Sequence, residues 1–170
     1  ISKIKTADVV GLGVSNAPLV RGLSAKGIKV TARDRRPAES LSEEAAACLC
    51  LPGVTAVCGD GYLDGLGGEV IFRSPGLRFD EPHIAGAVKN GALLSSEMEL
   101  FFQLFPGRII GITGSDGKTT TTTLTFRALA AKFGGDRVLV GGNIGKPLLP
   151  VVEETDSSYY AVVELSSFQL

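Results

Sequence analysis

The chain has 170 residues, enough for one ordinary domain or for a domain and part of a second. Hydrophobic residues make up 44% and charged residues 21%, and no apolar run reaches the roughly 18 residues of a membrane span or forms an apolar signal core. The formal net charge of −1 gives no overall attraction to nucleic acid or to an anionic membrane, so we expect neither partner, a cytoplasmic location and a monomer.

Short apolar runs alternate with helical patterns almost from the first residue. This alternation predicts βαβ units and a parallel sheet, in which ligands collect at the carboxyl ends of the strands. The first strands are predicted at residues 8–11, 29–33, 55–58, 69–73 and 92–94, and the helices between them at 17–26, 40–49, 82–89 and 97–104.

A glycine turn, Gly-Leu-Gly-Val-Ser-Asn at residues 11–16, follows the first strand. It resembles a dinucleotide-binding fingerprint in which Asn16 replaces the third glycine. Asp34 lies about twenty residues further on, where an acidic residue would meet a ribose. We therefore predict a nucleotide-containing ligand, since the surrounding basic residues favour phosphates; a nicotinamide-dependent oxidoreductase and a plain turn remain alternatives. The surrounding basic residues are Arg33, Arg35 and Arg36.

A second small turn, Ser74-Pro75-Gly76, follows the strand predicted at 69–73. A serine hydroxyl and a free glycine N–H at a strand end can bind a phosphate or a sugar. Alone, the tripeptide is more typical of an ordinary turn.

The cysteines and the single histidine are not expected to form a metal or redox site. Cys48, Cys50 and Cys58 include no CxxC pair and His83 is distant in sequence, so we predict reduced, mostly buried thiols. His83 follows Pro82 near a helix start, which favours a surface or capping role.

Phe105-Pro106-Gly107 is the best candidate for a domain boundary, because proline disfavours helix before it and glycine releases the chain. We predict one domain at 1–106 and a second at 107–170. The second has strands at 108–113, 137–141 and 159–165 and helices at 119–132 and near 147–152. Parallel strands need cover on both faces, so we expect this second domain to be incomplete within the chain.

A phosphate-binding loop is predicted at residues 114–120, between the strand at 108–113 and the helix at 119–132. Its glycines let backbone N–H groups turn toward phosphate oxygens, and the helix N-terminus adds partial positive charge. Lys118 can reach the outer phosphates and the Thr119 hydroxyl can hold Mg²⁺. A strict P-loop would have glycine where Ile112 stands, so the alternative is a helix that merely begins with Gly-Lys-Thr. The predicted contacts are Gly114, Ser115, Asp116, Gly117, Lys118, Thr119 and Thr120.

Two polar residues follow or end the later strands. Asn143, within Gly-Gly-Asn-Ile-Gly, carries a donor and an acceptor that can position a substrate beside a transferred phosphoryl group; a plain turn is equally consistent. Glu164 ends the last strand, where a carboxylate is well placed to bind the metal; the alternative is a glutamate that faces water.

The string Glu-Leu-Ser-Ser-Phe-Gln-Leu at 164–170 is specific. With the segments 111–120 and 141–145 it resembles the muramyl ligase family, and within that family the branch that adds D-glutamate. The resemblance spans the chain, because 11–15, 74–76 and 97–100 also fit the family's N-terminal domain. The phosphate loop alone would indicate only the superfamily.

The resemblance implies an α/β protein with a Rossmann-like domain for a UDP substrate, followed by the start of a P-loop-type ATPase domain. It implies ATP and Mg²⁺ as cofactors, and UDP-N-acetylmuramoyl-L-alanine and D-glutamate as substrates in peptidoglycan precursor synthesis. ATP would phosphorylate the substrate carboxylate, and the amine would then attack the acyl phosphate. Another muramyl or folylpolyglutamate-type ligase is the nearest alternative.

The resemblance also implies roles for individual residues. Lys118, Glu164 and Asn143 would act in phosphoryl transfer, with Thr119 and Glu164 on the metal. The residues expected around the UDP-linked substrate are Val14, Ser15, Asp34, Arg35, Arg36, Ser74, Pro75, Gly76, Asn143, Ser166 and Gln169.

The chain departs from the family pattern in one loop residue and in length. The family usually has asparagine where this chain has Asp116, and a carboxylate ~8 Å from a phosphate charge costs roughly 2 kcal/mol. The family's enzymes also continue well beyond the segment that ends in Leu170. We therefore expect that this chain does not turn over alone.

Overall fold

The computed structural model describes residues 4–166 and has two compact units, which divide between Glu97 and Met98. The first unit contains a five-stranded sheet in the order β3-β2-β1-β4-β5, with parallel pairing at every ladder. Its strands are β1 (Thr6–Val10), β2 (Lys29–Asp34), β3 (Val54–Cys58), β4 (Val70–Arg73) and β5 (Leu93–Ser95), and its helices are α1 (Asn16–Ala25), α2 (Glu43–Leu49) and α3 (Pro82–Lys89).

Helix α2 begins later than predicted, at Glu43 instead of residue 40. Ser42 is its N-cap, and the serine side chain accepts a hydrogen bond from the Ala45 N–H. Residues before the cap form a separate 3₁₀ turn, Ala38–Ser40. The cap satisfies an N–H group that has no partner inside the helix, and this fixes where the helix starts.

A buried ion pair organises the first sheet. The Arg33 Nε donates to Asp8 Oδ1, and the two side chains are 5% and 2% exposed. The same guanidinium donates to the carbonyls of Tyr62, Asp64 and Gly65. Arg33 is therefore committed to the segment after β3, and it is not the surface cation for phosphate that its position beside Asp34 predicted.

The second unit contains a three-stranded parallel sheet in the order β6-β8-β7, so the last strand lies in the centre. Its strands are β6 (Arg108–Ile112), β7 (Val138–Gly142) and β8 (Tyr160–Glu164), and its main helix is α5 (Lys118–Phe133). The core includes Met98, Phe101 and Phe105, which belong to α4 (Glu97–Leu104) or follow it. They pack with side chains of the second sheet such as Ala161 and Val163.

Packing therefore places nearly all of α4 in the second unit, whereas the sequence placed the boundary after it, at residue 106. The helix predicted near 147–152 is a 3₁₀ helix, Leu149–Glu154, with Pro150 in its first turn. The segment is short, and short helical connectors commonly take the tighter 3₁₀ form. The α/β class with parallel sheets is confirmed. Within residues 4–166 no helix has both the length and the apolar character needed to cross a membrane.

Candidate functional sites

The first candidate site is formed by the loops at the carboxyl ends of β1, β2 and β4. Gly11 has φ +84°, and a Cβ there would lie 2.6 Å from the Ser74 Oγ. The Gly11 N–H donates to the Arg33 carbonyl at 2.7 Å, and the Ser74 N–H donates to the Val10 carbonyl at 2.9 Å. The turn at 11–16 and the turn at 74–76 are therefore in direct contact, and only glycine fits at their junction.

Asn16 holds the first turn in place. Its side chain is buried, and its Nδ2 donates to the carbonyls of Val10 at 3.2 Å and Gly11 at 2.9 Å. The missing third glycine is thus replaced by an amide that ties the turn to the end of β1. Sequence reasoning treated Asn16 only as a defect in the fingerprint; the one available signal was an amide side chain a few residues after a strand end.

We expect Asn16→Asp to destabilise the first unit by about 1–2 kcal/mol, because a buried donor is replaced by an acceptor that faces two carbonyl oxygens. Thermal or urea unfolding of the chain at neutral pH measures the loss. Asn90→Asp is the matched control, since Asn90 is exposed at the end of α3. Equal stability of the two variants would contradict this role for Asn16.

Asp34 links the first turn to Arg36 through hydrogen bonds. The buried carboxylate accepts from the Leu12 N–H at 2.7 Å and from the Arg36 N–H and Nε at 2.9 Å each, and Arg36 Nη2 adds a bond at 3.0 Å. Burial on its own raises the pKa of Asp34, but the hydrogen bonds from Arg36 and Leu12 outweigh burial and lower the pKa. Both oxygens are occupied, so Asp34 orients the turn and the half-exposed Arg36 guanidinium.

The remaining predicted residues of the first site lie on the same loops and differ in their solvent exposure. Val14 is 71% exposed, and Arg35 is exposed next to the Asp34–Arg36 pair. Ser15 is the N-cap residue of α1, and its side chain makes no capping bond. The structure thus brings together the predicted residues Val14, Ser15, Asp34, Arg35, Arg36, Ser74, Pro75 and Gly76 on three adjacent loops of one sheet edge.

The second candidate site is the loop between β6 and α5. Gly117 is the N-cap of α5 with φ +72°, a left-handed conformation that favours glycine, and it turns the chain into the helix. Lys118 Nζ donates to the carbonyls of Gly114 at 2.7 Å and Ser115 at 3.0 Å. The ammonium therefore lies over the loop, at the positive end of a 16-residue helix. A flexible cation and N-terminal amides are the groups that bind phosphate oxygens.

Glu164 ends the central strand of the same sheet, opposite Ile112 and Gly142. It is 1% exposed, so it is buried and does not face water. Asn143 bonds to it twice, because the Asn143 N–H donates to the Glu164 carbonyl at 2.8 Å and Asn143 Nδ2 donates to Oε1 at 3.2 Å. Asn143 is thus the orienting partner of Glu164.

The other carboxylate oxygen, Glu164 Oε2, is buried and has no hydrogen-bond partner among residues 4–166. A buried carboxylate oxygen without a donor is costly, and a bound cation would remove that cost. Thr119, on the first turn of α5, offers an exposed hydroxyl. The described residues contain no cluster of three His, Cys, Asp or Glu side chains, and a site with few protein oxygens suits Mg²⁺, which keeps waters and phosphate oxygens as ligands.

Other predicted residues lie at or beyond the edges of these sites. Ser166 is half-buried two residues after β8, and Gln169 lies outside the described residues. His83 is on the surface, where its N–H and Nδ1 bond to the Glu81 carboxylate at the start of α3. Of the cysteines, Cys48 is buried and Cys50 is exposed, so the thiols are less uniformly buried than predicted.

Comparison with known proteins shows which sequences and folds the chain resembles. No protein-family model matches the chain. It is 48% identical over 169 residues to UDP-N-acetylmuramoylalanine–D-glutamate ligase of Clostridium botulinum, and 46% identical over 167 residues to the same ligase of Clostridium novyi. These alignments cover 99% and 98% of this chain but 36% of each relative, so the chain spans about a third of their length.

The fold is similar to that of solved muramyl ligase structures. UDP-N-acetylmuramate:L-alanyl-γ-D-glutamyl-meso-diaminopimelate ligase from Neisseria meningitides gives a TM-score of 0.53 at 17% identity, covering 98% of this chain and 55% of that one. UDP-N-acetylmuramate–alanine ligase from Thermotoga maritima gives 0.51 at 19% identity, covering 95% and 37%. The resemblance to muramyl ligases that the motifs predicted is confirmed.

Proposed function

We propose that this chain forms the UDP-substrate-binding domain and the first part of the ATP-binding domain of a muramyl ligase, the one that joins D-glutamate to UDP-N-acetylmuramoyl-L-alanine. The identity of 48% over nearly the whole chain supports this choice of branch. The single structural observation that carries the proposal is the unpartnered, buried Glu164 Oε2 at the end of the strand beside the Lys118 loop. We also propose a cytoplasmic location for the enzyme, because the synthesis of the peptidoglycan precursor consumes ATP.

The reaction needs a carboxylate to be activated, because an amine cannot displace oxide from it. A carboxylate oxygen of the alanyl group attacks the γ-phosphorus of ATP, the bond to the β–γ bridging oxygen breaks, and ADP leaves. The amine of D-glutamate then attacks the acyl carbon, inorganic phosphate leaves with the former carboxylate oxygen, and the nitrogen loses a proton as the amide forms. Positioning and charge neutralisation supply most of the catalysis in such phosphoryl transfers.

The residues of the second unit fit this chemistry. Lys118 would exchange its bonds to the Gly114 and Ser115 carbonyls for bonds to the outer phosphate oxygens. Thr119 and Glu164 would hold Mg²⁺, which neutralises charge that develops on the phosphates. Asn143 would keep the Glu164 carboxylate in one orientation through its bond to Oε1. The loop residues 114–120 would bind ATP mainly through backbone N–H groups.

The residues of the first unit fit a UDP group. Arg36, oriented by Asp34, and the exposed Arg35 would bind the diphosphate, and Val14 and Ser15 would contact the nucleoside. Ser74 lies against Gly11 and would bind the neighbouring phosphate or sugar. In the second unit, Ser166 and, outside the described residues, Gln169 would contact the muramoyl-alanyl arm.

A nicotinamide-dependent oxidoreductase is the main alternative of another class, and the contacts of Asp34 disfavour it. Dinucleotide-binding folds use an acidic residue at this position to accept from a ribose hydroxyl. Here both Asp34 oxygens already accept from Leu12 and Arg36. A ribose would have to displace these bonds, which also hold the first turn.

The test is phosphate release by the complete parent enzyme with UDP-N-acetylmuramoyl-L-alanine and ATP. We expect release that depends on D-glutamate and not on L-alanine, a diamino acid or L-glutamate. A parallel titration of the chain with UDP and with NADH separates the two classes. Binding of NADH without binding of UDP would overturn the proposal, and release with a different amino acid would move it to another branch of the family.

A further inference from the structure

The phosphate-binding loop contains one negative side chain without a counter-charge. Asp116 lies between Ser115 and Gly117, is exposed, and has no hydrogen bond or ion pair to its carboxylate from any residue in the range 4–166. Lys118, two residues further on, donates instead to the carbonyls of Gly114 and Ser115. The loop therefore combines one ammonium and the helix-end amides with an uncompensated carboxylate.

A carboxylate beside an anion site repels the ligand in proportion to the ligand's charge. ATP without a metal carries a charge of roughly −4, and a bound Mg²⁺ lowers the magnitude to roughly 2, so the repulsion is about halved. The Lys118 ammonium and the amide dipoles attract the nucleotide, and the Asp116 carboxylate opposes this attraction most strongly when the nucleotide carries no metal. We infer that Asp116 makes this loop discriminate in favour of metal-loaded nucleotide, an inference that rests on the proposed ATP site.

The charge relation gives a quantitative expectation. If removing the carboxylate strengthens binding of metal-free ATP by about tenfold, halving the ligand charge halves the free energy, and the gain for Mg-ATP is about threefold. Both gains shrink at high salt, because Asp116 is exposed and its field is screened over about 10 Å at 0.1 M. A merely structural effect of the substitution would change both affinities by the same factor.

The experiment is isothermal titration of the complete parent enzyme with ATP at low ionic strength, once with excess Mg²⁺ and once with EDTA, for the unaltered protein and Asp116→Asn. Asp136→Asn is the matched control, because Asp136 is exposed beyond the far end of α5, and 16 helical residues span about 24 Å. We expect Asp116→Asn to strengthen ATP binding in EDTA by about tenfold and in Mg²⁺ by about threefold, with no change in the control.

Equal gains in the two conditions, no gain in either, or an equal gain in the control would overturn the role of Asp116 while leaving the ATP site intact. Absence of ATP binding by all three proteins under both conditions would overturn the ATP site itself and this inference with it. Repeating the titrations at 0.5 M NaCl checks the electrostatic origin, since the difference between the two gains is then expected to disappear.

Discussion

Replacing Lys118 by alanine in the parent enzyme is expected to lower turnover by at least about a thousandfold, some 4 kcal/mol of transition-state stabilisation. The Lys118 ammonium is held at the mouth of the loop by the Gly114 and Ser115 carbonyls, within reach of any phosphate bound at the start of α5. Charge develops on the phosphate oxygens during transfer, and a single positioned cation that neutralises it has an effect of this size. Steady-state phosphate release with saturating substrates measures the loss.

Lys132→Ala is the matched control for this change. Lys132 is in the last turn of the same helix, where its Nζ lies 5.2 Å from the centre of the Phe133 ring. Loss of a lysine from that end should leave turnover within a factor of about two, because exposed charges a Debye length or more apart are largely screened. A near-normal rate for Lys118→Ala would remove Lys118 from the mechanism.

The alternation of apolar runs and helical patterns was sufficient to predict the strands. The rule that ligands collect at the carboxyl ends of strands selected the loops of the two candidate sites, whose ligand contacts stay predictions. Every strand of both sheets overlaps a predicted one, and Glu164 ends the last strand, as predicted. That this strand is the central one of its sheet was not predicted. The predicted features depend on local periodicity and on the hand and direction of βαβ units, which sequence patterns reveal.

The features that were missed depend on contacts between segments distant in sequence. Helix α4 packs with the second unit because Phe101 and Phe105 meet side chains of β8, more than fifty residues later. Arg33 was predicted to favour phosphates, but its guanidinium is buried and bonds to Asp8 and to carbonyls after β3. No local pattern specifies which of several neighbouring arginines has a buried acidic partner across the sheet.

The same limit applies to the polar side chains of the sites. Asp34 and Asn143 were predicted to touch ligand, and these contacts stay predictions. The structure shows what the sequence did not: Asn16, Asp34 and Asn143 each bond to another part of their own candidate site. The hydrogen-bonding groups of these side chains can be read from the sequence. Such a side chain can bond either to a ligand or to the backbone of its own loop. The choice is made by the precise path of the backbone.

Glu164→Gln is the second change with a large expected effect, and its effects on catalysis and on stability should differ in sign. Turnover of the parent enzyme should fall at least about a hundredfold, near 3 kcal/mol, because an amide is a weak ligand for Mg²⁺. In EDTA the variant chain should unfold at the same temperature as the unaltered protein or higher, since the substitution removes a buried charge whose Oε2 has no donor in the described range 4–166.

Thermal unfolding of both chains with ATP, in EDTA and in excess Mg²⁺, separates a metal ligand from a structural glutamate. Ligand that binds only the folded state raises its stability, so Mg²⁺ with ATP should raise the melting temperature of the unaltered chain and have little effect on Glu164→Gln. Glu154→Gln, an exposed glutamate at the end of the 3₁₀ helix, should behave like the unaltered chain. If Glu164→Gln instead unfolds at a lower temperature in EDTA and keeps its full response to Mg²⁺, the carboxylate is part of the scaffold. The unpartnered oxygen would then have no role in metal binding, because a ligand to the ion cannot be replaced without changing the ion's effect.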